Sequence, residues 1–436
     1  MQIKEIYIQN FKGFEKKNFS FNPKFNVAIG NNATGKSTLL HSIQVALGGY
    51  LQCLDIPASR NYRRQFKDGE AFVKWNELER GYLKNPDQTL ITTTAKFSHV
   101  SSDTPWTRIM LKNNTTSHNQ RNAGELMNVV EQLLRQKTNA QIPMPIVASF
   151  GTERTVAQLR KGKKAQSRRT QREKAFLAAL SEKVDFDGVI EWMHNYDKEL
   201  EYKKEFSGTK NAVFNAIHTA IPYLKHVEYN SYYQEFEAEV IIDQHTVGKT
   251  LHSNMSDGLK AMLNLVAELA FRCVILNGYK GEAAVVETEG VVLIDELDMH
   301  LHPNWQMHVV QDLRNAFPSI QFIVTSHSPF IVQSIKKDEL IILEEELDVE
   351  SDPFRRSIEE ISSTEMGVKE VPRSKAFLEM EEVAAKYYDL IEQGKTSDND
   401  EEVAALRNQL NELEDKFSED PAFVALLKAE RKSSNL

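Results

Sequence analysis

The sequence predicts an α/β protein with a mixed β-sheet core and flanking helices, a short helical insertion and a C-terminal helical tail. Two continuous apolar segments, 291–294 and 322–324, indicate buried parallel strands, and a third apolar strand is expected at 27–29. Each of them runs directly into polar residues at its carboxyl end. We expect the glycine-rich loop after 27–29 and the acidic end of 291–294 to form two halves of one site.

Residue periodicity predicts the other elements. Partial alternation indicates a strand over 3–8, and β-type residues continue from Phe19 to Ile29 through a turn at Pro23. Further strands are expected at 90–97, 106–111, 143–150 and 229–242, and helices over 39–47, within 156–222, over 256–276 and beyond about 350.

The 436 residues suffice for two or three domains. We expect a head domain over 1–348, with the helical insertion at about 156–222, and an acidic helical region over 349–436. Residues 331–436 contain 14 Lys and Arg but 27 Asp and Glu, whereas the rest of the chain is nearly neutral. The acidic region also contains apolar residues at near-helical spacing, among them Tyr387, Leu406 and Leu410. We expect these residues to make oligomer or partner contacts or to pack on the head.

The sequence favours a cytoplasmic protein. Cys53 and Cys273 lie far apart and match neither disulfide nor metal-site spacing, so we expect two reduced thiols. No apolar run reaches the roughly 20 residues of a membrane span. The chain also opens on an alternating pattern rather than on a signal peptide.

Residues 30–37 (GNNATGKS) match the P-loop pattern completely, and an apolar strand precedes them while a helix follows. Gly30 and Gly35 allow the backbone to turn its N–H groups towards one phosphate. Lys36 is expected to reach the β- and γ-phosphates and the Ser37 hydroxyl to bind Mg²⁺. The other nucleotide-binding residues of this motif are Asn31, Asn32, Ala33, Thr34 and Thr38.

A second motif, 291–296 (VVLIDE), ends a buried strand in two carboxylates. A buried strand can end so only if the acids are paired or bind a metal. We expect Asp295 to hold Mg²⁺ through water and Glu296 to polarise the attacking water.

A third strand leads into 325–329 (TSHSP), where His327 can contact the γ-phosphate or the attacking water. His300, His302 and His308 suggest a metal cluster at first sight. However, their spacing does not match the HExxH motif, and Pro303 separates the first pair from the following helix.

The segment 255–259 (MSDGL) precedes a helix with an apolar face, and Ser256 is suited to cap it. Five segments together resemble an ABC-type P-loop ATPase head of the SMC/RecF/OLD branch. In chain order they are 10–14 (NFKGF), the P-loop, the MSDGL segment, 294–303 (IDELDMHLHP) and the TSHSP stretch. The resemblance implies ATP and Mg²⁺ as cofactors and a homodimer or higher oligomer in which two subunits sandwich two nucleotides. Ser256, Asp257 and Gly258 would then contact the partner subunit's nucleotide. Asp298 matches the D-loop position, and His327 matches the switch histidine.

One feature of the branch is incomplete here, and the role of one further matching stretch is open. The glutamine of its Q-loop has only a weak candidate, Gln65. Residues 150–154 (FGTER) resemble a stretch common in stand-alone bacterial members, and Arg154 either contacts nucleotide or a neighbouring subunit or forms a structural salt bridge.

The insertion is too short for the coiled coil of a chromosome-organising protein. Asp398 and Asp400 lie in a polar stretch without the apolar strand of a Toprim nuclease, so we expect no nuclease site in this chain. The architecture is similar to the ATPase subunits of the Septu antiviral defence systems. That family implies a separate HNH nuclease partner controlled by the nucleotide state. The alternatives are a RecF-like DNA-repair ATPase without a dedicated nuclease, and a module that binds ATP but barely hydrolyses it.

Residues 160–174 carry eight basic side chains and one acid, Glu173. Such a run can follow a phosphate backbone without sequence preference, or it is a solvated loop. DNA contact through this stretch is therefore one of two open interpretations.

Overall fold

The computed structural model describes residues 1–54, 64–76, 80–84, 87–111, 115–135, 141–152, 171–200, 207–242, 245–344, 352–364, 366–367, 382–384, 386–387, 389–390 and 401–416.

The strands of these residues are β1 Gln2–Phe11, β2 Phe14–Ser20, β3 Phe25–Ile29, β4 Val73–Asn76, β5 Gly81–Lys84, β6 Leu90–Lys96, β7 Thr104–Ile109, β8 Ile146–Phe150, β9 Leu224–Asn230, β10 Glu235–Ile242, β11 His245–Leu251, β12 Gly290–Ile294, β13 Ile320–Thr325 and β14 Leu340–Ile342.

Among the described residues, the α-helices with defined bounds are α1 Lys36–Cys53, α2 Gln120–Arg135, α3 Phe186–Leu200, α4 Thr209–Ala220, α5 Asp257–Asn277, α6 Pro303–Gln306, α7 Val309–Ala316, α8 Pro329–Gln333, α9 Ile358–Thr364 and α10 Glu401–Lys416.

A parallel sheet of five strands, in the order β14-β3-β13-β12-β8, forms the centre of the fold. Every residue of β3, β8, β12 and β13 is buried. This agrees with the continuous apolar character of their segments, because a strand covered on both faces has no solvent side. The carboxyl ends of all five strands lie along one edge, where the P-loop and residues 295–296 and 326–328 begin.

In the described part of the chain, three antiparallel sheets accompany the parallel one, in the orders β2-β1-β6-β7, β11-β10-β9 and β4-β5. The α/β class is thereby confirmed, with parallel and antiparallel strands in separate sheets. Strand β1 pairs with both β2 and β6, and its turn into β2 contacts the P-loop, since a Cβ at Gly35 would lie 2.6 Å from the Phe14 ring.

The described part of the insertion is largely helical, with a 3₁₀ segment at Gln171–Phe176 and helices α3 and α4. A buried ion pair fixes it to α5. Arg272 binds Glu268 and donates to the carbonyl oxygens of Ala175 and Leu177, and Glu268 accepts from the Asp185 N–H at 2.6 Å. Removing one partner of a buried charge pair with further hydrogen bonds of this kind strongly destabilises a protein.

The chain divides into two compact units, Met1–Gly367 and Val368–Leu436. Helix α9 lies in the first unit, beyond residue 348, and its Ile361 is fully buried. In the second unit Tyr387, Val403 and Leu410 are buried. Among the described residues, no helix combines the length and apolar character that crossing a membrane requires.

Candidate functional site

The P-loop joins β3 to α1 and holds Lys36 in a buried position. The Lys36 ammonium donates to the carbonyl oxygens of Gly30 (2.6 Å) and Asn31 (3.0 Å). Burial lowers the pKa of Lys36, and nearby carboxylates, with Asp295 and Glu296 the strongest, partly offset that effect. The ammonium therefore lies within the loop, where an anionic ligand can replace the two carbonyl partners.

Two glycines give this loop its shape. Gly30 has a φ of 151°, and a Cβ there would lie 2.5 Å from the Thr34 hydroxyl oxygen. Gly35 has a φ of 106° and packs against the Phe14 ring. Any other residue would be strained at both positions.

Asp295 lies between the P-loop helix and the strand that precedes the switch region. The Ser37 hydroxyl donates to its Oδ2 at 3.1 Å, and the Thr325 hydroxyl donates to its Oδ1 at 2.5 Å. The backbone N–H of Asp295 donates to the Phe150 carbonyl oxygen (2.8 Å), which continues the pairing of β12 with β8. A hydroxyl and a carboxylate so close together supply the oxygen ligands that Mg²⁺ prefers.

Glu296 follows with a φ of 49°, which is uncommon for a non-glycine residue. Its N–H donates to the Thr325 hydroxyl oxygen at 2.7 Å. The same hydroxyl thus orients Asp295 and holds the backbone of Glu296. Strained backbone of this kind is concentrated at functional sites.

Asp298 binds two residues that follow β13 in its own chain, Ser326 and His327. Its Oδ1 accepts from the Ser326 hydroxyl (2.7 Å) and from the His327 N–H (3.2 Å). His327 is exposed next to the carboxyl end of β13. The adjacent Ser328 caps α8 and donates to Gln306 Oε1 at 2.6 Å. Asp298 is therefore connected within one subunit to the residues that follow β13.

Ser256 and Asp257 are exposed at the start of α5. Ser256 occupies the N-cap position, but its side chain makes no capping hydrogen bond. The capping role that the sequence allowed for its hydroxyl is therefore absent. Gly258 approaches the backbone after Asp298 so closely that a Cβ would collide with the His300 carbonyl oxygen.

The three histidines after Asp298 have separate environments. His302 caps α6 by accepting from the Asn304 N–H at 3.3 Å. His308 contacts Asp312 (2.6 Å) and the Tyr223 hydroxyl (3.2 Å). His300 is exposed and has a φ of 65°.

Among the remaining candidate residues, those that the structure describes lie away from the P-loop or serve packing. Gln65 follows Arg64, whose carbonyl packs against Gly48 of α1. At 1.5 Å per residue, Gly48 lies about 18 Å along this helix from Lys36, so this contact is far from the P-loop. Arg172, one of the basic residues of 160–174, donates to the carbonyl oxygens of Leu276 (2.6 Å) and Ile142, so it contributes to packing rather than to a phosphate track. Arg154, residues 160–170, Asp398 and Asp400 lie outside the described residues.

Sequence reasoning missed two carboxylates at this edge of the sheet. Glu182 contacts His41 and Gln44 of α1 at 3.0 and 2.8 Å. Glu344, just after β14, accepts from the Asn31 N–H of the P-loop at 2.6 Å. Neither residue lies in a motif, and both reach the site through contacts distant in sequence.

The family described as "RecF/RecN/SMC N terminal domain" matches residues 2–347 of the chain. The chain belongs to this family. It is accordingly an ATPase of the RecF/RecN/SMC type, and the resemblance seen in its motifs is confirmed.

Two curated proteins illustrate the similarity. The "Retron Vc95 probable ATPase" of Vibrio cholerae serotype O1 biovar El Tor is 25% identical over 455 residues, covering 91% of this chain and 84% of that protein. The "Septu protein PtuA" of Bacillus mycoides (strain KBAB4) is 23% identical over 360 residues, covering 78% of this chain but only 40% of that protein. Among solved structures, the "SMC head domain from Thermotoga maritima" aligns with a TM-score of 0.43 at 12% identity, covering 77% of this chain and 92% of that one.

Proposed function

We propose that this RecF/RecN/SMC-type ATPase is the regulatory subunit of a bacterial anti-phage defence complex, in which its nucleotide state controls a separate HNH-type nuclease. The observation that carries the nucleotide chemistry is the convergence of the P-loop, Asp295, Glu296 and His327 at one edge of the parallel sheet. The similarity to a Septu protein and to a retron ATPase supports the defence role.

ATP and Mg²⁺ are the proposed cofactors. Ser37 and Asp295 would hold the Mg²⁺, because their oxygen atoms already face each other at 3.1 Å. The ion would neutralise charge on the phosphates. The Thr325 hydroxyl keeps the Asp295 carboxylate oriented for this task.

The hydrolytic step needs positioning and electrostatic stabilisation more than covalent chemistry. We assign Lys36 to the β- and γ-phosphates, which would replace the carbonyl oxygens of Gly30 and Asn31 as its partners. Glu296 would polarise the attacking water, and His327 would contact the γ-phosphate or that water.

Two subunits would complete two sites. The Ser256 hydroxyl is exposed and makes no cap bond in its own helix, which suits a contact with the partner subunit's γ-phosphate. Asp257 and Gly258 would add the start of α5, whose N–H groups favour an anion. The bonds from Asp298 to Ser326 and His327 would couple such an interface to the switch histidine.

The test uses the full-length protein. Phosphate release is measured with magnesium and ATP for the wild type and for Lys36→Ala, and nuclease activity is measured after co-expression with an HNH nuclease encoded beside it. We expect Lys36→Ala to abolish turnover and to uncouple nuclease activity from ATP. Nuclease activity that ignores ATP in the wild type would contradict the regulatory role. Duplex-DNA binding without capture of a nuclease would favour the RecF-like alternative.

A further inference from the structure

The carboxylate of Glu344 reaches the P-loop because of the strand register. Strand β14 pairs in parallel with β3, with Leu340 opposite Val27 and Ile342 opposite Ile29. The pairing continues one residue further, since the Leu343 N–H donates to the Ile29 carbonyl oxygen at 3.1 Å. The next residue of this strand therefore lies beside the start of the loop.

Glu344 accepts a hydrogen bond from the Asn31 N–H at 2.6 Å, a short distance typical of a charged acceptor. The Asn31 carbonyl oxygen in turn accepts from the Lys36 ammonium (3.0 Å) and from the Thr34 hydroxyl (2.9 Å). Asn31 thus connects Glu344 to the P-loop lysine. In a loop whose N–H groups usually receive the oxygens of an anionic ligand, a side chain of the same protein binds one of them.

Glu344 also adds to the negative charge around Lys36. The carboxylates of Asp295, Glu296, Glu344 and Asp298 all act on this one ammonium. The proposed function gives Asp295 a task at the metal, Glu296 a task at the attacking water and Asp298 a task in holding residues 326–327. It gives none to Glu344, whose charge can only oppose the phosphates of an incoming nucleotide.

We propose that Glu344 makes the site discriminate in favour of magnesium-bound ATP over metal-free ATP. This inference rests on the proposed nucleotide function. Repulsion from a fixed charge is proportional to the charge of the ligand. Metal-free ATP carries about four negative charges near neutral pH and its magnesium complex about two, so the carboxylate opposes the metal-free form about twice as strongly. Glu344 is in these terms a specificity-determining residue that contacts the loop.

The experiment measures equilibrium binding of a fluorescent ATP analogue to the full chain, once with excess Mg²⁺ and once with EDTA. Glu344→Gln removes the charge but keeps an oxygen that can accept from Asn31. We expect it to tighten binding of the magnesium complex about threefold and of the metal-free nucleotide about ninefold, because the free-energy change doubles with the ligand charge. The preference for magnesium-bound nucleotide should thus fall about threefold, and less at high salt.

Two further variants keep the result interpretable. Glu344→Ala removes both the charge and the acceptor, so it should lower the metal preference as Glu344→Gln does even if overall affinity falls. Glu131→Gln makes the same charge change on an exposed face of α2, where Glu131 pairs with Arg135, and should leave both affinities unchanged.

Each outcome of these measurements either supports the inference about Glu344 or overturns it. An unchanged ratio of the two affinities in both Glu344 variants overturns the inference, as does an equal loss in both ligand forms, which would indicate a purely structural role. A wild type that binds neither form would overturn the nucleotide site itself and this inference with it. Thermal unfolding without nucleotide confirms that the variants compared are equally folded.

Discussion

At the scale of single residues, Asp295 and Glu296 are adjacent in sequence but have different surroundings. Asp295 accepts hydrogen bonds from the side chains of Ser37 and Thr325. Glu296 turns away from the strand direction through its positive φ, with its N–H bound to the Thr325 hydroxyl oxygen. The Asp295 carboxylate is thereby bound to a side chain of the P-loop helix, whereas Glu296 is positioned through its backbone.

We expect Glu296→Gln to retain ATP binding and to lose turnover, since the amide keeps the size of the side chain but cannot polarise water. The loss of an activating group of this type costs about 10²–10⁴-fold in rate. Phosphate release and nucleotide binding are measured on the same preparation, with Glu131→Gln as the matched control. Hydrolysis near the wild-type rate would remove Glu296 from the proposed role.

The sequence was informative at this scale wherever a function depends on contiguous residues. The P-loop, residues 295–296 and 325–328 are recognisable because each lies at the end of one apolar strand. The second role of Thr325 and the contact of Glu344 with Asn31 depend on the register of strands that are far apart in the chain. No local pattern encodes such a register, so these contacts could not be predicted.

At the scale of elements, Glu182 connects α1 to the end of β8. Its carboxylate contacts His41 Nε2 (3.0 Å) and Gln44 Nε2 (2.8 Å), and its carbonyl accepts from the Gly151 N–H at 2.8 Å. On the other side of His41, the Lys12 ammonium lies 2.7 Å from Nδ1. The helix that carries Lys36 and Ser37 is therefore fixed to the strand next to β12.

We expect this link to make stability depend on pH. The hydrogen bond with His41 is the main cause that lowers the pKa of Glu182 from its ordinary value of 4.5 to about 2, and Gln44 contributes despite opposition from burial. Because the folded pKa is lowered, the stabilisation is present above the unfolded value and is lost as the pH falls from 4.5 towards 2.

The test compares urea unfolding of the wild type and Glu182→Gln across this range. The variant should be less stable at neutral pH, and the difference should shrink as the pH falls below about 4.5. Glu191→Gln, an exposed acid on α3, is the control and should show no such gap. A gap that stays constant down to the acid limit would mean that the contact with His41 does not stabilise the fold.

Elements with one dominant pattern agree with the sequence expectation. The helix expected over 256–276 is Asp257–Asn277, and the strand expected over 90–97 is Leu90–Lys96. The pairing of the elements in between was harder to predict, because β1 pairs with β6 across roughly 90 residues and composition does not reveal the partner. Arg172 illustrates the same limit, since a basic run does not show which of its members turns inward to the carbonyls of Leu276 and Ile142.

At the scale of the whole molecule, the proposed sandwich requires two surfaces that one subunit leaves open. The P-loop residues Asn31, Asn32 and Ala33 are exposed, and so are Ser256 and Asp257. We expect Ser256→Arg to leave binding of ATP to the single subunit intact and to block dimerisation, because a bulky cation replaces a small hydroxyl at the contact. Light scattering with ATP and the Glu296→Gln background would detect the lost dimer.

Mixing two variant subunits tests whether each nucleotide site is built from residues of both subunits. A subunit with Ser256→Arg retains its P-loop, and a subunit with Lys36→Ala retains its signature segment, so together they can form one complete site per dimer. Activity should therefore return partly on mixing, although each variant alone is inactive. Failure of every mixture to recover, while wild-type subunits exchange normally, would place both residues in the site of one subunit.

The second compact unit raises the question of what its apolar residues contact. Residues 368–436 carry 10 Lys and Arg and 16 Asp and Glu, and they bury Tyr387, Val403 and Leu410. A unit of under 70 residues forms only a marginal core by itself, so we propose that it serves oligomer or nuclease contacts. The apt end point for a truncation is Gly367, since ending at 350 would also remove the buried Ile361 and the bond from Gln333 Nε2 to the Arg356 carbonyl oxygen.

We therefore expect a chain that ends at Gly367 to bind ATP with unchanged affinity, to form smaller assemblies and to lose its nuclease partner. Size-exclusion chromatography with light scattering measures the assembly, and a pull-down after expression from the native operon measures the partner. A chain that ends at 350 is the informative comparison, because exposing the face that α9 covers should lower its melting temperature as well. If the chain ending at Gly367 keeps both the full assembly and the partner, the docking surface lies in the first unit, and the helices α3 and α4 of the insertion become the segment to test.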